Sequence, residues 1–377
     1  MNTTPAPRIA IIGAGPGGLT CARILQQHGV TATVHDRDAG PTARDQGGTL
    51  DLHADNGQIA LREAGLLEEF FRLARPEGQE MRQMDPAGTI LFHHVPEPDE
   101  RFKPEIDRGR LRELLLTSLQ PGTVRWGHTL RTVSGPAEGP RRLHFTNGTT
   151  FEADLVVGAD GAWSKVRHAV SQATPRHTGV SFLEAWFHDV TTRHPEIAEL
   201  VGQGSAAAAD GERGLFAQRN GGDHIRVYLI QRVPAGWITD RGLTPQDTDG
   251  IRALLLERYG EWSPRLRRLI TDNDGLYVDR PIFALPVPHI WEHDPTVTLL
   301  GDAAHLMPPL GVGVNLAMLD ACDLALAVAR HDTVGEAVRA YEQTMLPRST
   351  EMARLLDGAA DGLMSTELPD FATADNP

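Results

Sequence analysis

The chain has 377 residues, 40% hydrophobic and 23% charged, a composition that suits a globular protein of one large or two interlocked domains and excludes a disordered or fibrous one. Its formal charge of −14 works against partnership with nucleic acid or an anionic bilayer, since both need basic patches. Only Cys21 and Cys322 occur, far apart in sequence, so neither a disulfide framework nor a cysteine metal cluster can be built, and both read as core thiols.

Residues 1–7 lack the charged start and apolar run of a secretory leader, and no apolar run approaches the ~20 residues that span a bilayer. A cytoplasmic location without a membrane partner is expected. Residues 8–12 form a short apolar run ending at glycine, and Leu19, Ala22, Ile24 and Leu25 then recur at helical spacing. Residues 31–35, Thr-Ala-Thr-Val-His, are rich in β-branched residues and end on Asp36, completing a strand, turn, helix, strand and acid of the βαβ kind. The pattern predicts one helix over 56–73, a charged, proline-rich stretch over 96–104, and an amphipathic helix over 108–119. Short strands are expected at 124–126, 130–133, 142–146 and 150–152, then an apolar strand of parallel-sheet type at 155–158.

From about 175 the texture changes to strand-like pieces at 180–187, 214–218 and 225–232, with one helix over 249–259, which reads as an inserted antiparallel sheet. Residues 297–300 return to parallel-strand character and lead to a helix over 314–329. The stretch 334–363 is one long helix, or two broken at Pro347, which has no amide to donate. No coiled-coil heptads are present, so a monomer is expected.

Between the first strand and helix stands Gly13-Ala14-Gly15-Pro16-Gly17-Gly18. Glycine at these positions lets backbone amides and a helix N-terminus approach a pyrophosphate, and Asp36, about twenty residues on, is placed to hold ribose hydroxyls. The same carboxylate disfavours a 2′-phosphate, so the site reads as one for FAD or NAD. A turn kept for packing alone is the plainer alternative.

Further on, 154–161 reads Asp-Leu-Val-Val-Gly-Ala-Asp-Gly and is followed by Ser164 and Arg167, while 300–309 reads Leu-Gly-Asp-Ala-Ala-His-Leu-Met-Pro-Pro. These segments resemble the Asp-Gly motif and the second FAD fingerprint of the para-hydroxybenzoate-hydroxylase-like flavin monooxygenases, in the family's order. Segments 47–53, 101–102 and 105–108 are similar to those of its tetracycline-inactivating members. The resemblance implies an α/β fold: a Rossmann-like FAD-binding domain, an inserted, mostly antiparallel β-sheet substrate domain, and a C-terminal bridging helix. The expected division is 1–74, 96–173 and 277–330 for FAD, 75–95 and 174–276 for substrate, and 331–377 for the helix and tail.

By the same resemblance FAD is bound by Gly13, Ala14, Gly15, Pro16, Gly18, Asp36, Arg37, Asp51, Arg108, Asp160, Gly301, Asp302, Pro309, Val314 and Asn315. NADPH or NADH serves as a transient reductant and meets Arg44, and O2 is the other co-substrate. The flavin carries the chemistry, so no catalytic acid or base and no metal site is assigned, and His305 reads as structural. The expected substrate is a polycyclic enol or phenol, tetracycline-like, with an aromatic polyketide of a biosynthetic route as the alternative. A non-catalytic flavin- or drug-binding protein is the rival of a different class. A flavin halogenase is disfavoured because no Trp-x-Trp occurs.

Two departures from the tetracycline enzymes stand out. The turn Leu310-Gly311-Val312-Gly313-Val314-Asn315 is one residue shorter, and Glu184 and Ser205 stand where those enzymes carry a glutamine and an arginine. Glu184, Ser205, Arg226 and Phe216 are the candidate substrate residues. Glu184 and Arg226 read either as a polar pair or as outward-facing positions on a sheet. Phe182, Trp186, Phe187, Phe216, Tyr228 and Trp237 supply sheet core or the lining of an apolar pocket.

Overall fold

The computed structural model describes residues 6–44 and 46–356. Two compact units emerge among the described residues, the first made of residues 6–74, 108–176 and 284–355, the second of residues 75–107 and 177–283.

In the first unit a five-stranded sheet runs in the order Val297–Leu299, Leu155–Gly158, Ile9–Ile12, Ala32–His35 and Val124–Arg125, every pair parallel. Ile9–Ile12 and Leu155–Gly158 are buried at every position, which is why they read as unbroken apolar runs rather than alternating ones. The helix Pro16–Gln27 follows the first strand, and Gly313–Arg330 packs along it. Gly17 permits that approach, since a Cβ there would lie 3.0 Å from the carbonyl oxygen of Ala317. Cys21 and Cys322, one on each helix, are buried free thiols, each pushed up to about 12 by desolvation. A separate antiparallel sheet joins Leu130–Ser134, Arg141–Phe145 and Thr150–Ala153.

The span 56–73 is two helices, Gly57–Glu63 and Leu67–Leu73, divided where Gly65 adopts φ +68°. The last helix, Val334–Leu355, continues through Pro347 without a break; residues 357–363 lie outside the described residues. This helix belongs to the first unit. Tyr341 donates to the Leu299 carbonyl at 2.8 Å, and Glu342 accepts from Thr298, Trp291 and His293.

The second unit holds a seven-stranded sheet in the order Val278–Ala284, Arg176–Phe187, His224–Arg232, Arg213–Asn220, Ser205–Ala209, Met81–Met84 and Ile90–His94. Ser205–Ala209 runs parallel to Met81–Met84, while the other registered neighbours are antiparallel. Leu183, Ala185, Phe187, Leu215, Ala217, Ile225, Val227 and Leu229 turn to one face and share a core with Trp237, Ile251, Leu255 and Leu266. The helices Thr248–Tyr259 and Pro264–Thr271 cover that face. Only the first of the two was expected.

The division differs from expectation at several joins: besides the last helix, residues 174–176 stay with the first unit. Residues 96–107 belong to the second unit, because Gln79 donates to the Glu100 carbonyl at 2.9 Å and accepts from the Lys103 amide at 2.9 Å. Residues 277–283 join the same unit as its edge strand, where Thr178 donates to the Ile282 carbonyl at 3.1 Å. No helix among the described residues is long and apolar enough to cross a membrane.

Candidate active site

The glycine turn of the first unit is closed by its own backbone. Gly13, at φ +112°, donates to the His35 carbonyl at 2.8 Å, and a Cβ on it would strike the Ala159 carbonyl. A Cβ on Gly18 would strike the carbonyl of Gly13. Gly15 is different: its backbone is ordinary, φ −81° and ψ 177°, and a Cβ there meets nothing within 4 Å. Two of the three fingerprint glycines are therefore required by packing, and the third faces open space. The helix that follows has Pro16 in its first turn, and that turn carries neither a side-chain cap nor an acidic residue of its own, so its positive end is left for an anion.

Asp36 fastens this turn, with Oδ2 accepting the Ala14 amide at 2.6 Å and Oδ1 the Asp38 amide at 2.8 Å. Each carboxylate oxygen keeps a further lone pair for a sugar hydroxyl. The opposite side of the turn is held by Arg112, which the sequence reading placed only within an amphipathic helix. Its buried guanidinium donates to Ala14 O at 3.1 Å, to Pro41 O at 2.6 Å and to Asp38 at 3.4 Å, and lies 5.2 Å from the Trp126 ring centre. Its signal was a charge on the same helical face as Leu111 and Leu115. Arg44 reaches the Asp38 carboxylate at 3.1 Å with its side chain mostly exposed, and Arg37 is exposed.

The Asp-Gly segment abuts the glycine turn, since a Cβ on Gly13 would lie 3.1 Å from Asp160 Cα. The Asp160 side chain is turned inward, accepting from Ser164 Oγ at 2.5 Å and from the amides of Lys165 and Val166. Desolvation raises its pKa despite these donors. Its part is thus to shape the loop. Arg167, almost wholly buried, donates to the carbonyls of Ala303 at 2.8 Å and Asp302 at 2.9 Å, tying the Asp-Gly segment to the second fingerprint.

Asp302 opens a short helix after Gly301, and its side chain is exposed, with Oδ1 4.0 Å from where a Cβ on Gly313 would sit. Gly313 begins the eighteen-residue helix, whose N-terminus, like that of Pro16–Gln27, has no side-chain cap. Val314 follows in its first turn, and Pro309 is exposed just before it. The short turn is stitched by Asn315, whose amide donates to Asp51 O at 2.9 Å and Gly311 O at 3.2 Å. Its oxygen accepts from the amides of His53 and Gly57. All four hydrogen-bonding positions of that side chain are used internally, leaving only its backbone for a cofactor. Asp51 pairs with His53 at 3.0 Å and faces Gly311, and the Arg108 amide donates to Gly48 O at 2.9 Å while its side chain is exposed. His305 is buried, and its Nε2 pairs with the Asp320 carboxylate at 2.6 Å.

The four candidate substrate residues lie in the second unit, on the sheet face opposite its helices. Strand alternation sets Phe182, Glu184 and Trp186, Phe216 and Gln218, and Arg226 and Tyr228 on that face; Ser205 joins them through its register with Gln218. Phe187 and Trp237 are core of the other face. Glu184 and Arg226 form a buried ion pair at 3.3 Å, and Arg226 stacks 3.8 Å from the Trp186 ring centre. Arg280 adds a second ion pair to Glu184. The open question of the sequence is answered in favour of a polar pair. Among the described residues no cluster of histidine, cysteine, aspartate and glutamate could hold a metal.

A five-stranded parallel sheet, an open glycine turn, two uncapped helix N-termini and an exposed carboxylate beside one of them together define a dinucleotide-binding protein, and the donor set fits FAD. The family model described as "FAD binding domain" matches residues 7–261 and 287–355, and the chain belongs to that family. Among curated relatives, "Monooxygenase penA" of Penicillium thymicola is 31% identical over 94% of this chain and 95% of its own. The "3-amino-4-hydroxybenzoate 2-monooxygenase" of Streptomyces cremeus is 31% identical over 92% of this chain and 85% of its own. The protein is a flavin-dependent monooxygenase. In fold it is similar to the 2,6-dihydroxypyridine-3-hydroxylase of Arthrobacter nicotinovorans, with a TM-score of 0.81 at 19% identity over 100% of this chain and 99% of that one. Likeness to tetracycline destructase Tet(55), TM-score 0.71 at 19% identity over 97% and 91% of the two chains, extends to the fold alone.

Proposed function

We propose that the chain hydroxylates an aromatic ring bearing a phenol or enol, taking electrons from NADPH or NADH and oxygen from O2, with FAD held by the first unit. The observation that carries this reading is the exposed Asp302 at the Gly313 helix N-terminus, in the same unit as the open Gly15 turn. When bound, FAD supplies hydride acceptance and oxygen activation. The Gly15 turn and the amides behind it hold the pyrophosphate; Asp36 takes ribose hydroxyls. Asp302, Asp51, Arg108 and the backbone from Gly313 to Asn315 position the remainder, and Arg44 meets the nicotinamide dinucleotide.

On the sheet face of the second unit, Arg226 and Glu184 supply a fixed polar anchor within an apolar surface of Phe182, Phe216 and Tyr228, with Ser205 beside them. Such a face suits a flat ring carrying few polar groups. No side chain is assigned as acid or base, because a phenol or enol reacts as its own anion. What the protein contributes is orientation and exclusion of water.

Two substrate sizes have support. Segments 47–53, 101–102 and 105–108 favour a tetracycline-like polycycle, whereas the 31% identity to an enzyme named for 3-amino-4-hydroxybenzoate favours a single ring. Oxidation of NADPH and NADH is measured with FAD-loaded protein against tetracycline, 3-amino-4-hydroxybenzoate and a bicyclic phenol. Stimulation with tetracycline and loss of its absorbance favours the polycycle; stimulation only by the single ring moves the assignment there. Absence of stimulation by any phenol or enol sinks the substrate class.

A further inference from the structure

The second fingerprint is anchored from two helices that the motif itself does not include. Asp320, on Gly313–Arg330, is wholly buried, and its Oδ2 accepts the Gly301 amide at 3.0 Å and bonds His305 Nε2 at 2.6 Å. Its Oδ1 accepts from Arg348 at 2.9 Å, and Arg348, on Val334–Leu355, also donates to Asp323 at 2.8 Å. Gly301 adopts φ +58°, and a Cβ there would come within 2.8 Å of the Ala317 side chain, so its backbone has little freedom. From the other side Arg167 takes the carbonyls of Asp302 and Ala303. Of the four residues Asp302–His305, the three after Asp302 are buried and Asp302 alone is exposed.

Desolvation opposes every charge in this cluster. At His305 and Asp320 mutual attraction outweighs it, holding His305 above its ordinary range and Asp320 below, whereas at the outer Asp323 desolvation prevails and raises the carboxyl. One buried carboxylate thus neutralises two cations while fixing a backbone amide. The arrangement is more than helix packing needs, because an apolar contact of similar volume would serve packing as well.

We propose that Asp320 and Arg348 are positioning residues for the flavin: acting through Gly301 and His305, they set the backbone that aims the Asp302 carboxylate at the Gly313 turn. The proposal rests on the assignment of Asp302 to the flavin. Arg348 is the better handle, since its side chain is a quarter exposed and Asp320 keeps two other partners without it.

The test compares wild type, Arg348→Met, Arg348→Lys and Asp302→Asn for apo-protein melting, FAD dissociation constant and the position of the bound flavin's visible bands. Arg348→Met is expected to weaken FAD about tenfold and to shift the bands, and Arg348→Lys, which keeps the charge, to recover affinity to within about threefold. Were Arg348→Met to lower apo melting while leaving FAD affinity and bands unchanged, the cluster would be a structural strut and the proposal wrong. Should Arg348→Met not fold, Asp323→Ala removes only the outer contact of Arg348; a threefold loss of FAD affinity is expected, and no change overturns the proposal. Asp302→Asn separates the two layers. If it leaves FAD affinity and bands untouched, the Asp302 assignment fails and the proposal falls with it; if it alone perturbs them, only the positioning role is lost.

Discussion

Replacing Gly15 by alanine separates what the fold needs from what the cofactor needs. The added Cβ meets nothing within 4 Å, and φ −81° with ψ 177° is open to any residue. Alanine at a compatible site stabilises by about 0.4–1 kcal/mol through the unfolded chain, and its poorer N-cap preference offsets roughly that amount. Apo stability should therefore stay within about 0.5 kcal/mol of wild type. The methyl group, however, fills the space through which a pyrophosphate must approach the amides. Losing one or two hydrogen bonds to a charged group, about 1.5–3 kcal/mol each, implies FAD binding weaker by at least about tenfold. Urea unfolding of the apo protein and a fluorescence titration with FAD measure the two quantities. Gly13→Ala is the counterpart: its Cβ strikes the Ala159 carbonyl at φ +112°, so unfolding should come far earlier in urea. If Gly15→Ala binds FAD as wild type does, the turn is a packing device and the pyrophosphate assignment is wrong.

Three other outcomes follow from named contacts. Arg167→Met strips buried hydrogen bonds from the carbonyls of Ala162, Asp302 and Ala303 and should cost about 3 kcal/mol or more in urea unfolding; a cost under about 1 kcal/mol would contradict its tying role. His35 is buried against Phe145 and Phe151, and desolvation, aided by His128 and Arg125, lowers its pKa from 6.5 to about 4. The unfolded chain then binds the proton more readily, so stability present above pH 6.5 is lost as pH falls toward 4, by roughly 3 kcal/mol at most. His35→Phe should flatten that part of the acid-stability curve, and an unchanged slope would show that His35 does not set it. Arg226→Lys keeps a charge but loses the flat stack on Trp186 and the forked reach to Glu184, so KM for the substrate should rise about tenfold with kcat changed less; unaltered KM would remove Arg226 from the substrate face.

The parts legible in the sequence are those where backbone demands leave a residue signature. Gly13 and Gly18 stand where any Cβ would strike a carbonyl, and Asp36 ends its strand within reach of the Ala14 amide. The buried parallel strands declared themselves as continuous apolar runs. Other features are set by partners distant in the chain and left no local mark. Ser205–Ala209 is a central strand made of serine and four alanines, a composition of low strand propensity, and only its neighbours on both sides make it one. Residues 96–104 read as a charged, proline-rich stretch and 96–107 were expected with the FAD-binding domain, but Gln79 fixes this segment to the second unit through Glu100 and Lys103. Asn315 was assigned to the cofactor from its motif, and the structure spends its side chain on Asp51, His53, Gly57 and Gly311 instead. Arg112 and the Asp320–Arg348 pair support the two fingerprints across 98 and 28 residues of sequence, distances over which periodicity carries no information.

The most direct test of the account is product analysis after turnover under 18O-labelled O2, with FAD-loaded protein, NADPH and a phenolic or enolic aromatic that stimulates NADPH oxidation. The account predicts a ring-hydroxylated product carrying one labelled oxygen, formed in proportion to NADPH consumed. Product oxygen drawn from water, or NADPH oxidation that yields no hydroxylated product with any such substrate, would contradict it.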